Sequence, residues 1–420
     1  MSDPSLAPLP HPHVPGSARA ALSYPAYRLI WSGLFLSNIG TWMQNLALPA
    51  YIDDRTGSAK IVSLLVFAQL GPMLLLAIPG GILADRVNRQ RFLLAMQWIQ
   101  LVFSLVLALI VSVDGPIWAL FIAQISIGIG NALNAPASQA SIPLLVDRRD
   151  LAGAISMNSI QLNASRVAGP SIAALLALWG ISTAQIFVLN AATYLFLIVA
   201  LTRVVVPDIR GQHPERGWRR ALTGLRISRE RGVLARLLLT MTGFSFFSLV
   251  FVALFPSVAR INFGVDPLGS TYRWLYATWG LGAFFGALST GTVLASVHRP
   301  MVIRRGLIGF SISLAGFALM HTPAPAFPIG FCLGVFYFMA ANSMATVFQQ
   351  NLKDDERVTM MPLWFMAFGG TVALSGIAAG PIIDVIGTQS VLLFGAAFAL
   401  FLSWWSNLDR LPSDSFLSQP

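Results

Sequence analysis

The chain has 420 residues, of which 55% are hydrophobic and only 10% charged, with a mean hydropathy of +0.70 and a formal net charge of +10. A soluble protein of this size carries roughly a quarter charged residues; here there is too little polar surface to cover a water-soluble globule, and lipid must face much of the chain. The positive charge does not point to nucleic acid, because it is almost all arginine placed in short segments between apolar runs, a topology signal and not a continuous basic face.

Residues 1–23 are rich in Pro, Ala, Ser and His, have no apolar core, and read as a disordered cytoplasmic tail. Twelve apolar runs follow, at Tyr24–Ala50, Ile61–Ala84, Phe92–Val113, Ile117–Leu145, Leu151–Gly180, Ala184–Val206, Leu234–Arg260, Ser270–Val297, Pro300–His321, Phe327–Asn351, Val358–Ile386 and Gln389–Leu408. Such lengths suit bilayer-crossing helices, which satisfy every backbone polar group internally. The expectation is an all-α membrane protein with twelve transmembrane helices in two pseudo-symmetric six-helix bundles, residues 24–206 and 234–408. Residues 207–233 form a cytoplasmic basic linker, and residues 409–420 a second cytoplasmic tail. Within the linker, Arg219 to Arg231 suits a basic amphipathic helix on an anionic leaflet as well as it suits a plain connector.

If the N-terminus is cytoplasmic, 22 basic residues fall on the inner side and four (Arg55, Lys60, Arg260 and Arg273) on the outer side. That asymmetry places both termini inside a multi-pass protein of the cell inner (plasma) membrane. The halves repeat. Gly169-Pro170 and Gly380-Pro381 stand 211 residues apart, Gly81 and Gly291 stand 210 apart, and so do Gln139 and Gln349. Parallel repeats of this kind build transporters that rock around a midplane site. The two Gly-Pro pairs are expected to bend their helices.

The most patterned stretch is Pro79–Arg91, where an apolar run ends at Gly80-Gly81, Asp85 follows, and Arg86, Arg89 and Arg91 precede the next run. A carboxylate at a helix end accepts from backbone N–H groups or pairs with arginine, and such a contact can lock one half against the other. The plainer reading is an exposed loop whose charges set topology. The repeat partner has Ala295 where Asp85 stands, so a gate here is one-sided.

Arg166 lies mid-way along an apolar run with no acid at that depth in the first six helices. It must face the bundle interior or a wet cavity. Two readings stand: a charge that meets an anionic substrate group or a proton-linked rearrangement, or a structural arginine bonded to helix carbonyls. Candidate cavity residues are polar in the first half (Asn38, Thr41, Asn45, Gln69, Gln124, Asn131 and Asn163). In the second half they are largely aromatic (Phe247, Phe251, Tyr276, Trp279, Phe338, Asn342 and Trp364). A cavity polar on one side and aromatic on the other suits a small amphipathic molecule. Ordinary helix packing is the alternative for both sets.

No nucleophile–base pair, metal-ligand spacing or phosphate loop occurs, so no enzyme and no cofactor or metal is expected. The single cysteine, Cys332, reads as a small core residue. The expected partners are the lipid bilayer, a small-molecule substrate and protons as coupling ion, with no nucleic acid, in a monomer.

Gly81-x-x-x-Asp85-Arg86-x-x-Arg89-x-Arg91 resembles the loop between the second and third helices of the major facilitator superfamily. Tyr27-Arg28-Leu29-Ile30-Trp31, with Ser37-Asn38-Ile39-Gly40-Thr41-Trp42-Met43, resembles the start of its drug–proton antiporter branch. Pro136-Ala137, Pro143-Leu144-Leu145-Val146 and Asn163-x-x-Arg166-Val167-x-Gly169-Pro170 resemble the enterobactin-exporter-like and macrolide-efflux-like group within it. The resemblance spans residues 24–408 and implies proton-driven efflux by alternating access, with the Gly81–Arg91 loop as gate. Two departures stand out. Asn88 replaces the usual glycine, where asparagine tolerates a left-handed turn. Gln124 lies where related antiporters carry an arginine, so their proton-coupling scheme does not transfer directly. Asp85→Asn is expected to reduce transport; unchanged transport in that variant leaves the charges of the turn as topology signals alone.

Overall fold

The computed structural model describes residues 13–206, 219–294 and 296–408, and its elements are all helical among the described residues. In chain order they are α1 (Ala18–Ser23), α2 (Pro25–Thr56), α3 (Ala59–Arg86), α4 (Arg89–Ser112), α5 (Ile117–Ser141), α6 (Leu151–Leu178), α7 (Thr183–Arg203), α8 (Arg219–Glu230) and α9 (Gly232–Gly243). There follow α10 (Val250–Ala253), α11 (Phe255–Phe263), α12 (Ser270–Gly291), α13 (Arg299–Leu319), α14 (Pro323–Gln350), α15 (Asp354–Phe365), α16 (Thr371–Ile386) and α17 (Thr388–Trp405). A π-helical turn, Phe244–Ser248, leads from α9 towards α10, and a second, Met366–Gly370, joins α15 to α16.

Among the described residues, eight helices are long and apolar enough to cross a membrane: α3, α4, α5, α7, α13, α14, the continuous α15–α16 segment and α17. Their outward faces are apolar as well. On α4, Trp98, Val102, Leu105 and Leu109 recur at helical spacing and are all exposed, a stripe that lipid covers and water does not. Helices α2, α6 and α12 are also long, at 32, 28 and 22 residues. Their lower hydropathy comes from polar side chains such as Asn38, Gln44, Gln161 and Arg166.

Helices α2 to α7 pack as one group and α9 to α17 as another, and the groups meet where α3 crosses α16, α6 crosses α12 and α11 touches α2. The repeat offset carries α3 onto α12 and α6 onto α16, so the two main crossings exchange under it. Close approach there depends on missing side chains. A Cβ on Gly380 would stand 2.5 Å from Ser63 Oγ and 3.0 Å from Ala59 O of α3. Within the second group, a Cβ on Gly282 of α12 would stand 2.0 Å from Phe331 O of α14.

The apolar core shows where the groups join. The main buried cluster takes residues of the first group only near one end of its helices: Met43 to Ile52, Ala59 to Val66, Leu107 to Val111, Leu120 to Ile127, Ala173, Ile186 and Phe187. That end carries Arg55, Lys60, Arg260 and Arg273, and is called here the arginine-poor end. Near the arginine-rich end the first group has its own separate core, built on Tyr27, Phe92, Met96, Leu145, Met157 and Leu201.

Several expectations are corrected. Residues 13–23 are not a disordered tail. Ser17 caps α1 through Ala20 N at 3.2 Å, Gly16 N donates to Asp150 Oδ1 at 2.9 Å and Tyr24 donates to Asp150 Oδ2 at 2.8 Å, so a buried carboxylate anchors this stretch. The basic linker contains the helix α8, packed on α15; residues 1–12, 207–218 and 409–420 lie outside the described residues. Asn88 takes no left-handed turn: at φ −60° and ψ 115° it is the N-cap of α4, accepting from Arg91 N at 3.0 Å. Asparagine is among the best N-cap residues, which explains its presence without the glycine geometry. The two Gly-Pro pairs lie inside α6 and α16, and the two π turns lie elsewhere. Cys332 is exposed on α14 and not in the core.

Gly282→Leu is expected to force α12 away from α14 and to destabilise the protein by about 1–3 kcal/mol. Gly316→Ala, whose added carbon would meet nothing nearer than Ile329 at 3.6 Å, serves as the tolerated control. Thermal unfolding in detergent, followed by size-exclusion elution, distinguishes the two, and equal melting of both variants would refute the close-approach account.

Candidate functional site: a cross-group tie and a caged arginine

Helix α2 runs past the expected end at Ala50 to Thr56, which brings Asp53 inside the structure. Asp53 is fully buried and is held by the second group. Ser257 of α11 donates to its Oδ1 at 2.6 Å, Arg260 Nε to Oδ2 at 2.7 Å and Arg260 Nη2 to Oδ1 at 3.2 Å. Arg260 also donates to Gly57 O at 2.9 Å. A buried carboxylate is tolerable only with such complete pairing.

A second tie stands beside it. Asp384 of α16 accepts from Ala59 N at 2.7 Å, Lys60 N at 3.1 Å and Ser58 Oγ at 2.7 Å, capping the first turn of α3 from the other group. Helix N-termini present unpaired N–H groups and partial positive charge, so a carboxylate fits there. Arg260 also feels the charge of Asp384, which links the ties electrostatically. Tyr272 Oη approaches Leu46 O at 3.5 Å on the same side. All these cross-group contacts lie at the arginine-poor end, where the shared apolar core also lies.

At mid-depth, Arg166 of α6 sits between aromatic rings from both groups. Its guanidinium carbon is 5.3 Å from the Trp42 ring centroid and 4.6 Å from that of Phe338. Tyr337 lies against Phe338 at 4.4 Å and stacks on Trp279 at 6.2 Å, and Tyr276 meets Trp279 edge-on at 5.2 Å. Arg166 makes no ion pair or hydrogen bond among the described residues, and the groups that feel its charge are Tyr337 and Tyr276. A guanidinium at the bilayer centre costs roughly 2.5–3.5 kcal/mol on insertion scales. Two cation–π contacts, each worth about 0.5–2 kcal/mol, offset much of that. Asn163, a candidate cavity residue on the same helix, and Ser159 bond instead to their own helix, Asn163 Nδ2 to Ser159 O at 2.8 Å and Ser159 Oγ to Ile155 O at 3.1 Å.

The polar residues of the first group form a network more than a cavity wall. Gln44, absent from the sequence-based set, is its hub. It receives Asn190 Nδ2 at 2.7 Å and Ser104 Oγ at 3.1 Å, and its Nε2 approaches Gln124 Oε1 at 3.5 Å. Gln124 is thus buried inside the group and does not face an open cavity. Gln69 donates to Asn45 at 2.6 Å, Asn38 to Gln161 at 3.0 Å, and Thr41 meets Tyr194 Oη at 3.2 Å. Asn131 and Asn342 are partly exposed.

The aromatic set divides. Phe251 is fully buried between Phe255, Trp279 and Phe310. Phe247 turns away to Phe394 and Phe398 of α17, so the stripe on this segment does not share one face. The π turn at Phe244–Ser248 separates the two positions by more than an α turn would. Trp364 is buried against Phe348 at 4.9 Å. Phe338, Tyr276 and Trp279 gather around Arg166, together with Trp42 and Tyr337, which sequence reasoning did not select. In the Gly81–Arg91 segment, α3 continues to Arg86 and Arg89 is buried at the start of α4, while Arg91 is exposed. The side chains of Gly81, Asp85 and Arg86 lie outside the described ones.

Apolar helices in two groups, fused near one end and holding an unpaired arginine at mid-depth, define a multi-pass membrane transporter. The chain belongs to the transmembrane secretion effector family of the major facilitator superfamily, whose sequence model matches residues 16–414. It is 29% identical to the enterobactin exporter EntS of Escherichia coli O1:K1 / APEC over 329 residues, covering 76% of each chain. It is 25% identical to macrolide efflux protein A of Streptococcus pyogenes over 298 residues, covering 68% of this chain and 72% of the relative. Its fold is similar to that of a bacterial homolog of the human lysosomal transporter Spinster, in an inward-facing and occupied conformation (TM-score 0.72, 16% identity, 94% and 99% coverage). The nucleoside transporter NupG has a similar fold (TM-score 0.71, 13% identity, 92% and 100% coverage).

Asp53→Asn removes the charge that Arg260 requires and is expected to weaken closure of the arginine-poor end by about 1–3 kcal/mol. Spin labels at the exposed Lys60 and Asp266, in a Cys332→Ser background, should then report a longer distance between the groups. An unchanged distance distribution would show that Asp53 does not hold this end shut.

Proposed function

We propose that the protein is a secondary exporter of a small amphipathic compound, a drug, siderophore or secondary metabolite, driven by proton antiport through alternating access. In this reading the chain crosses the inner (plasma) membrane twelve times, as α2 to α7 and then as α9–α11, α12, α13, α14, α15–α16 and α17. The two groups are the six-helix halves of the repeat, and the arginine-rich end with both termini faces the cytoplasm. The observation that carries the reading is the placement of the ties. The buried Asp53–Arg260 pair and the Asp384 cap close the arginine-poor, outward end, and a residue from each half meets Arg166 at mid-depth. A substrate entering from the cytoplasmic side reaches the caged arginine and leaves when the ties break.

The relatives named for macrolide efflux and enterobactin export support the outward direction. Asp53 and Asp384 are the two carboxylates that join the halves, and in this reading both stand at the end that faces the outside. The Gly81–Arg91 turn would hold the opposite end in the alternate state, with Asp85 as its acceptor.

Everted vesicles carrying the chain, acidified inside and monitored with a pH-sensitive dye, test the coupling. A panel of anionic, neutral and cationic aromatic probes should contain at least one whose addition releases protons from chain-bearing vesicles and not from empty ones. Substrate and protons leaving the vesicle lumen together would make the protein a proton-coupled importer, and no substrate-dependent proton flux in either direction would remove coupling.

A further inference from the structure

The same mid-depth site states what charge its ligand bears. Arg166 carries five N–H donors, and none reaches a protein acceptor among the described residues. The rings of Trp42 and Phe338 supply π faces to the cation, yet a π face leaves the in-plane N–H groups without lone pairs. The guanidinium nitrogens are not among the fully buried unpartnered atoms, and Arg166 is only partly covered, so these donors are not sealed off by protein.

A second, independent donor lies in the same aromatic cluster. The indole N–H of Trp279 is buried, in a residue only 3% exposed, and has no hydrogen-bond partner among the described residues. Native proteins rarely leave such a donor unmet, because an unsatisfied buried group loses its full solvation. Trp279 stacks on Tyr337 and meets Tyr276, the two tyrosines that interact with the charge of Arg166, and neither hydroxyl bonds to protein among the described residues. The cluster therefore offers donors on four side chains, a single positive charge, and no acceptor of matching sign.

We propose that this cluster binds an anionic oxygen group, a carboxylate or phenolate, on an aromatic substrate: Arg166 takes the charge and Trp279 donates a hydrogen bond, while the rings of Trp42, Tyr337 and Phe338 stack on the aromatic body. The inference rests on the efflux reading, which it narrows. A carboxylate matches the planar fork of a guanidinium in a bidentate way that no neutral group does. A cationic aromatic compound would meet like charge and no counter-ion. Arginine suits the role better than lysine because it stays charged at any depth and stacks on aromatic faces.

The test uses the full chain in lipid nanodiscs and equilibrium dialysis with two matched probes, 1-naphthoate and 1-naphthylmethylammonium. Wild type should bind 1-naphthoate saturably and at least tenfold more tightly than the cation. Arg166→Gln should abolish that preference, Arg166→Lys should retain part of it, and Trp279→Phe, which keeps a ring and removes the N–H, should weaken the anion several-fold. The last variant decides the matter should Arg166→Gln fail to elute as a folded protein. Equal affinity for the two probes, preference for the cation, no saturable anion binding, or anion binding untouched by Arg166→Gln and Trp279→Phe would each overturn the proposal. Proton-coupled export that persists while binding is indifferent to probe charge sinks this site and leaves the efflux reading standing. Charge-selective binding with no transport in everted vesicles does the reverse.

Discussion

One buried carboxylate organises the contact between the two helix groups. Asp53 has no water to solvate it, so its charge is stable only while Ser257 and Arg260 of the other group surround it. The apolar core shared by the groups occupies the same end, and glycine at position 380 lets α16 come close enough to α3 for Asp384 to reach the α3 N-terminus. Each feature depends on the others: the close crossing sets the cap, the cap orients α3, and α3 follows the turn that leaves Asp53 facing α11. Burial makes the tie strong while both sides are present and unfavourable once one is removed. That is the energetic profile of a latch and not of a permanent weld.

The caged arginine follows a different logic. Its environment is assembled from α2, α6, α12 and α14, so neither group alone supplies it. Aromatic faces stabilise a cation in a non-stoichiometric way, through quadrupoles that need no fixed hydrogen-bond geometry. A ring can slide relative to the guanidinium at little cost, whereas a carboxylate partner would pin it. Helices that must shift past one another are therefore better served by rings at this depth than by a salt bridge.

Much of this was legible in the sequence, and the rest was hidden for identifiable reasons. Long apolar runs and the sidedness of arginine revealed the membrane class, because lipid imposes these on composition itself. Arg166 stood out as a lone charge in an apolar run. Phe338, Tyr276 and Trp279 were visible as aromatics at helical spacing, but Trp42 lay inside a motif read for resemblance, and Tyr337 was overshadowed by its neighbour. Gln44 was missed because the face chosen for α2 ran through Thr41 and Asn45, and the hub sits one residue off that face. Asp53 fell beyond an apolar run and Arg260 at the end of one, because hydropathy ends a helix where polar residues begin, whereas α2 continues for another six residues beyond Ala50. The π turns left no composition signal; they insert a residue into the ladder without changing what the residues are.

The cap on α3 carries a consequence for how the molecule is made. The N–H groups at the start of that helix wait for a carboxylate that lies 325 residues further along the chain. While the ribosome is still synthesising the second group, the first turn of α3 has only Ser58 and solvent to satisfy it. The first group thus enters the membrane with one helix unfinished, and the arrival of Asp384 near the end of synthesis completes it, making assembly of the halves and maturation of that helix a single event.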